Sequence, residues 1–262
     1  MQGASHPDYP WNVPETVDQL VARIEPFIPQ DVDAHSDRVT GALAELNTWW
    51  QQRASGTLNA LEIKSPVKTN MAEGIATANA AIDSGHNLLF LTADSNRESN
   101  RESNPDSHLA RALIGLLTRK DAYSVFFQGT NQQSISDRAA MVSMADIRDL
   151  MREYLEARGE PLRLSALDPR IDFAVGLLLA SSARKTPVIT GTNDHLVGAL
   201  IAQRLCMKAS SWWRHGSTSP DPATLAAVDR MGIPPGLPLE LSDQLGVGAQ
   251  VSVTLLREFV EN

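Results

Sequence analysis

Apolar residues recur at helical spacing in the first part of the chain. Val17, Leu20, Val21 and Ile24 predict a helix over residues 14–25, and a second apolar series predicts a helix over residues 33–52. After Gly56 the pattern changes to short apolar runs that alternate with alanine-rich helical segments. The chain therefore divides into an N-terminal helical segment, residues 1–66, and an α/β part, residues 67–262.

The second part alternates strand patterns with helix patterns. Strands are predicted over residues 86–92, 123–127 and 187–190, and a short apolar segment covers residues 207–213. Helices are predicted over residues 72–82, 108–117, 144–158, 171–183, 194–205 and 222–231 and from Gly248 onward. This alternation predicts an α/β fold with a Rossmann-like, mostly parallel sheet and helices on both faces. Ligands of such sheets bind at the carboxyl ends of the strands.

Composition narrows the classes of partner. The formal net charge is −8 and basic residues form no run, which argues against nucleic acid or an anionic membrane as partner. Cys206 is the single cysteine, so neither an intramolecular disulfide nor a thiolate metal cluster is expected. No apolar stretch has the length of a membrane span, and the polar first residues predict a cytoplasmic protein. The sequence indicates no cofactor and no metal site.

A glycine doublet precedes the last predicted helix. Gly246 and Gly248 flank Val247, and two glycines so placed let backbone approach a ligand closely. A valine side chain can line an apolar slot but cannot transfer a proton. General acid or base chemistry therefore needs another residue.

The order of features around this doublet carries a resemblance. A strand ending in Thr190 and Gly191 is followed by an alanine- and leucine-rich helix, by His215, Gly216 and Ser217, and then by the doublet. This order resembles the C-terminal part of the nicotinate-nucleotide:dimethylbenzimidazole phosphoribosyltransferase family. Upstream, residues 56–62 and 69–85 are similar to two further segments of that family. A large block of the family is absent between Pro66 and Thr69.

The resemblance implies an activity and a set of site residues. The family transfers a phosphoribosyl group from nicotinate mononucleotide to dimethylbenzimidazole for cobalamin biosynthesis, and its members form dimers. Its catalytic base is a glutamate, and Val247 stands at that position, so the catalytic residue is unknown. The candidate substrate-binding residues are Thr190, Gly191, Asp194, His195, His215, Ser217, Gly246, Val247 and Gly248.

Several polar positions have a second interpretation. Asp194 and His195 form an acid and imidazole pair that could transfer protons, or they are a helix N-cap and a surface residue of the first turn. Residues 104–108 stand where the family binds a phosphate, but a proline and an aspartate favour an ordinary helix cap. Leu167 and Asp168 replace a glycine pair of the family, whereas Gly176 retains a small residue for helix packing.

Four acids follow predicted strands and bear on the ligand. Asp94, Asp106, Asp194 and Asp221 would repel a phosphate dianion, which favours a neutral or cationic heterocycle over a phosphorylated ligand. Near them, residues 96–99 are duplicated as residues 100–103, which is typical of a surface loop that tolerates insertions.

Two functional hypotheses remain open. The chain is a divergent enzyme of lower-ligand or nicotinate mononucleotide metabolism, or it is a catalytically inactive binding or regulatory subunit. Both imply a small heterocyclic or nucleotide ligand and a homodimer.

Overall fold

The computed structural model describes residues 32–66, 69–93, 105–126, 137–219, 221–240 and 246–261. The predicted helix over residues 14–25 and the duplicated tetrapeptides over residues 96–103 lie outside these ranges. Asp94 lies outside them too, and of Asp106 only the backbone is described.

Helices and strands alternate along most of the described chain. The α-helices are α1 (Val32–Gln51), α2 (Met71–Asp83), α3 (Pro105–Thr118), α4 (Ala122–Phe126), α5 (Asp137–Glu153), α6 (Pro161–Ser165), α7 (Pro169–Ala183), α8 (Asn193–Leu205), α9 (Pro222–Met231) and α10 (Val247–Glu261). The strands are β1 (Ala60–Ser65), β2 (Leu88–Ala93), β3 (Val188–Thr190), β4 (Trp213–Thr218) and β5 (Pro235–Glu240). Two 3₁₀ helices, Glu156–Gly159 and Met207–Trp212, complete the path.

The five strands form one parallel sheet in the order β1-β2-β3-β4-β5. Each strand lies beside its predecessor in the chain, so the strand order does not reverse within the sheet. Crossovers between parallel strands are right-handed, and a constant direction of travel places all the crossover helices on the same face. A doubly wound sheet has a crevice where the strand order reverses. Here that crevice has no equivalent among the described strands.

The alternation of side chains shows which helices cover each face. Leu89, Leu91 and Val188 face a large core built with helices α2, α3, α5, α7, α8 and α9. Leu88, Phe90 and Ile189 face the other way, into a core completed by α1 and α10. The prediction of helices on both faces of a parallel sheet is confirmed.

Glycines permit the close crossing of α2 and α7. A Cβ atom at Gly176 would collide with the carbonyl oxygen of Met71, and one at Gly74 with that of Phe173. The prediction that Gly176 allows close helix packing agrees with this geometry.

Several predicted elements are wrong. Residues 123–127 were expected to form a strand, but Ala122–Phe126 is helix α4, whose start is capped by the Asp121 carboxylate accepting from the Ser124 amide at 2.7 Å. The helix expected over residues 144–158 is α5, which begins at Asp137 and ends at Glu153.

Strands β1 and β5 were not predicted. β5 contains Pro235 and Pro238, which a ladder accommodates at a sheet edge, and its pairing with β4 has an irregularity at Ser217 and Thr218. β1 lies within the range assigned to the N-terminal helical segment and pairs with β2 along its whole length. The domain boundary at residue 66 stays a prediction.

Candidate functional site

The first turn of α10 lies across the carboxyl ends of β2, β3 and β4. Gly246 has φ +78° and approaches β2 so closely that a Cβ atom there would lie 2.9 Å from the Cα of Thr92. A Cβ atom at Gly191 would lie 2.7 Å from the Cα of Gly246, and one at Gly216 would lie 2.6 Å from the Cα of Ala249. These glycines let the chain pass over the strand ends without side chains between the backbones.

The side chain between the two glycines packs inside the protein. Val247 is half-buried against a small apolar cluster of α1, β5 and α10 that contains Leu43, Leu237 and Leu255. Its apolar surface joins α10 to α1 and β5. That this valine also lines a ligand slot stays a prediction.

His195 is the most deeply buried titratable group at this end of the sheet. Its side chain bridges two hydroxyl groups: Nε2 lies 2.7 Å from Ser65 Oγ, at the end of β1, and Nδ1 lies 3.0 Å from Thr192 Oγ1. Burial, together with the smaller effects of the nearby His215 and Arg170, lowers the pKa of His195 to about 3. The ring is therefore neutral at physiological pH.

The alternative interpretation of the Asp194 and His195 pair was wrong in both parts. Thr192, rather than Asp194, is the N-cap of α8, and His195 is 1% exposed rather than on the surface. Periodicity alone could not reveal this, because the partner Ser65 lies 130 positions earlier in the chain.

His215 and Thr190 meet on neighbouring strands. His215 Nδ1 lies 3.2 Å from Thr190 Oγ1, and both residues are buried. The Thr190 hydroxyl also lies 3.2 Å from the carbonyl oxygen of Arg214. Several of the predicted site residues thus lie within one region, around the end of β3 and the second half of β4, among them Thr190, Gly191 and His215.

The acids at the strand ends are paired with arginines. Asp194 lies 3.4 Å from Arg170, which also makes a tight ion pair with Asp168, the N-cap of α7. Asp221 lies 2.5 Å from Arg111. Asp221 is thus balanced by one arginine, whereas Arg170 is shared by two carboxylates, which among the described ion pairs leaves Asp194 and Asp168 with an excess negative charge. The preference for a neutral or cationic ligand stays a prediction.

Two further residues, Ser217 and Glu62, belong to this region. Ser217 was predicted, but its environment was not: Oγ is buried against Gly248 and has no hydrogen-bond partner among the described residues. Glu62 lies in the segment 56–62 that resembles the family, but no role was predicted for it. Its Oε1 accepts from Thr92 Oγ1 at 2.6 Å and from Gln250 Nε2 at 3.1 Å. The signal that could have indicated Glu62 is an acid between Leu61 and Ile63, in a segment similar to the family.

The arrangement has clear chemical consequences. The described residues contain no group of three histidine, cysteine, aspartate or glutamate side chains that could hold a metal ion. Val247 supplies no titratable group, and the low pKa of His195 makes its ring a weak base. Glu62 is the carboxylate whose hydrogen bonds reach both β2 and α10.

Within the described helices, none is both long and apolar enough to span a bilayer.

Comparison with known proteins points to one family. The sequence model of a phosphoribosyltransferase family matches residues 57–261. The nicotinate-nucleotide–dimethylbenzimidazole phosphoribosyltransferase of Streptomyces avermitilis is 30% identical over 251 residues, which are 94% of this chain and 60% of the relative. The enzyme of the same name from Streptomyces coelicolor is 29% identical over 79% of this chain and 56% of its own length. The chain thus spans about 60% or less of these relatives.

A solved structure agrees on the fold. The crystal structure of CobT from Thermus thermophilus matches with a TM-score of 0.57 at 22% identity, covering 71% of this chain and 53% of that one. The family match covers the strand ends and the glycine doublet together, since both lie within residues 57–261. The chain belongs to the nicotinate-nucleotide:dimethylbenzimidazole phosphoribosyltransferase family.

Proposed function

We propose that this protein is a divergent phosphoribosyltransferase homologue of cobamide lower-ligand or nicotinate mononucleotide metabolism that works without the family's usual catalytic base. The observation that carries the proposal is Val247. By the resemblance, an apolar side chain stands at the position of the base, and it packs against the apolar cluster that contains Leu43 and Leu237. No rotation of that side chain can supply a proton acceptor.

The hydrogen bonds of Glu62 support the same proposal. Glu62 is the alternative base that the contacts to β2 and α10 suggest, but its Oε1 already accepts two hydrogen bonds, from Thr92 and Gln250. General-base losses cost on the order of 10² to 10⁴-fold in rate.

A second function is favoured by the closed carboxyl end of the sheet. The glycines bring backbone against backbone, and both ring nitrogens of His195 are occupied by Ser65 and Thr192. These features suit a catalytically inactive binding or regulatory subunit that kept the scaffold. In either case the ligand is a small heterocycle or its nucleotide, and the protein acts as a cytoplasmic homodimer.

The test is an assay for α-ribazole phosphate formed from nicotinate mononucleotide and dimethylbenzimidazole. We expect the wild-type protein to fall at least about a hundredfold below an intact relative assayed in parallel. Val247→Glu alone should not restore turnover, since that segment is packed against α1 and β5. Turnover close to the relative's would contradict the proposal.

Glu62→Gln separates the two functions. If slow transfer is present and this variant abolishes it, Glu62 is the base and the protein is an enzyme. If the wild type is inactive, calorimetry with each compound decides the ligand class. Absence of binding to both nicotinate mononucleotide and dimethylbenzimidazole would count against both functions.

A further inference from the structure

An open groove lies at the end of the sheet opposite the candidate site. It has a volume of about 390 Å³ and runs between the outer surface of α1 and the start of β4. Arg214 is the second residue of β4, whereas Ser217, at the candidate site, lies near the other end of the same strand. The volume falls within the range of small-molecule sites.

Two arginines on this groove share one aromatic ring. The guanidinium carbon of Arg53 lies 5.4 Å from the centre of the Trp49 ring, and that of Arg214 lies 5.3 Å from the same centre. Arg53 is held further by its Nε, which donates to the Ser211 carbonyl oxygen at 2.8 Å, and by Nη1, which donates to that of Trp49 at 3.0 Å. The ring contacts both cations, and the hydrogen bonds hold Arg53 in place before any ligand arrives.

Arg214 has donors without acceptors. It is half-buried, its Nε is buried without a hydrogen-bond partner, and it forms no ion pair within the described part of the chain. Burial lowers the pKa of Arg214, the adjacent Arg53 lowers it further, and Glu45 acts in the opposite direction. A guanidinium stays charged under such conditions. The folded protein therefore bears the free-energy cost of a half-buried charge with an unpaired donor.

An oxyanion would remove that cost. Planar guanidinium groups match the oxygens of phosphate and carboxylate in a forked geometry, and charge-assisted hydrogen bonds of this kind are about twice as strong as neutral ones. Glu45 lines the same groove, and the protein as a whole carries a net charge of −8. Long polyanions are therefore disfavoured, and a small ligand with one anionic group fits.

We propose that the groove between α1 and the start of β4 is a binding site for a small oxyanion, whose phosphate or carboxylate group is held by Arg214 and Arg53. Gln52 and Glu45 line the same groove, so they would contact the remainder of the ligand. This site is separate from the proposed phosphoribosyltransferase function.

The test titrates inorganic phosphate and succinate into the full chain at constant ionic strength, with chloride as the balancing salt. Binding is followed by calorimetry and by tryptophan fluorescence, since Trp49 touches both arginines. We expect saturable binding of at least one anion. Arg214→Gln and Arg53→Gln should each weaken it at least tenfold, and Arg214→Lys, which keeps the charge but loses the fork, should have an intermediate effect.

Arg184→Gln is the matched control. Arg184 is an exposed arginine that already pairs with Asp83 at 2.7 Å, and its replacement should leave anion affinity unchanged. A preference between the two titrants identifies the group, phosphate or carboxylate. Failure of both anions to saturate, or equal affinity in the wild type and Arg214→Gln, would overturn the proposal. An equal loss of anion binding in Arg184→Gln would also overturn it. So would the finding that Arg214→Gln dissociates a wild-type dimer but does not change anion binding.

Discussion

The two ends of the central sheet use their polar groups differently. At the carboxyl end, His195, Ser65 and Thr192 bond to one another, and Arg170 and Arg111 are paired with acids. At the amino end, Arg53 and Arg214 share Trp49 beside an open groove, and Arg214 Nε has no acceptor among the described residues.

The residues that match the family and the polar groups that still lack a hydrogen-bond partner thus lie mostly at different ends of the sheet. The carboxyl end carries the residues that match the family, yet most of its donors and acceptors are already occupied. The amino end matches no motif, yet the Nε donor of Arg214 there has no acceptor among the described residues. Unsatisfied buried polar groups are uncommon in folded proteins and indicate where a partner is missing. The comparison predicts that substitutions at the carboxyl end act on stability, whereas those at the amino end act on binding.

The largest expected effect is at the contact between β4 and α10. Gly216→Ala places a methyl group against the backbone of Gly248 and Ala249, which cannot move aside as a flexible side chain can. We expect a loss of about 3 kcal/mol in the free energy of unfolding, measured by urea denaturation. The control is Gly41→Ala in α1, where nothing lies within 4 Å, and a gain of up to about 1 kcal/mol is expected. Equal effects at the two positions would mean that the contact is not close-packed.

The next effect is a dependence of stability on pH. Because the pKa of His195 is lowered to about 3 in the folded state, the unfolded chain binds a proton that the folded protein does not, from about pH 6.5 down to about pH 3. The stabilisation is complete above pH 6.5 and is lost as the pH falls. Relative to His195→Gln, the wild type should lose about 2 kcal/mol between pH 6.5 and 4.5. Parallel pH profiles of the two proteins would show that the ring is accessible to protons.

Two serines at the same end should respond in opposite ways. Ser65→Ala leaves Nε2 of His195 without its hydroxyl partner and should cost about 1 to 2 kcal/mol. Ser217→Ala removes an unsatisfied hydroxyl and should be neutral or slightly stabilising. Thermal unfolding of both variants checks this. A loss at Ser217 as large as that at Ser65 would show that its hydroxyl has a partner.

The smallest effect is expected at the amino end. In the absence of added anions, Arg214→Gln removes a half-buried guanidinium with an unsatisfied donor, so it should lower the unfolding free energy by no more than about 0.5 kcal/mol. With saturating phosphate or succinate, the wild type should gain stability that the variant does not, because ligand binds the folded state alone. A large destabilisation in the absence of ligand would mean that Arg214 is structural.

Local patterns in the sequence predicted the regular helices well. The apolar periodicity of α2, α7 and α9 matches the structure to within two residues at each end. It failed for α4, because a short apolar run is compatible with both a strand and a helix. It also failed for β5, because its prolines argued against a strand. Short segments such as these take their structure from the tertiary contacts around them.

The candidate site was predictable only where neighbours in sequence are neighbours in space. The glycine doublet correctly indicated a close backbone approach, because a glycine at φ +78° has a local reason to be there. The burial of His195 depends on Ser65, and the pairing of Asp221 depends on Arg111, which are distant in the chain in both cases. Arg53 and Arg214 are still further apart in the chain, and single-sequence patterns carry no record of such pairs.

The consecutive strand order has a consequence for folding during synthesis. Each new strand and its crossover helix can add to the edge of the sheet as the ribosome delivers it, so the face with the large core grows in chain order. The opposite face needs α10, the last of the described elements. Until residues 247–261 emerge, α1 is the only described helix that covers Leu88, Phe90 and Ile189. We therefore expect the nascent protein to present an apolar sheet surface to chaperones until α10 is made.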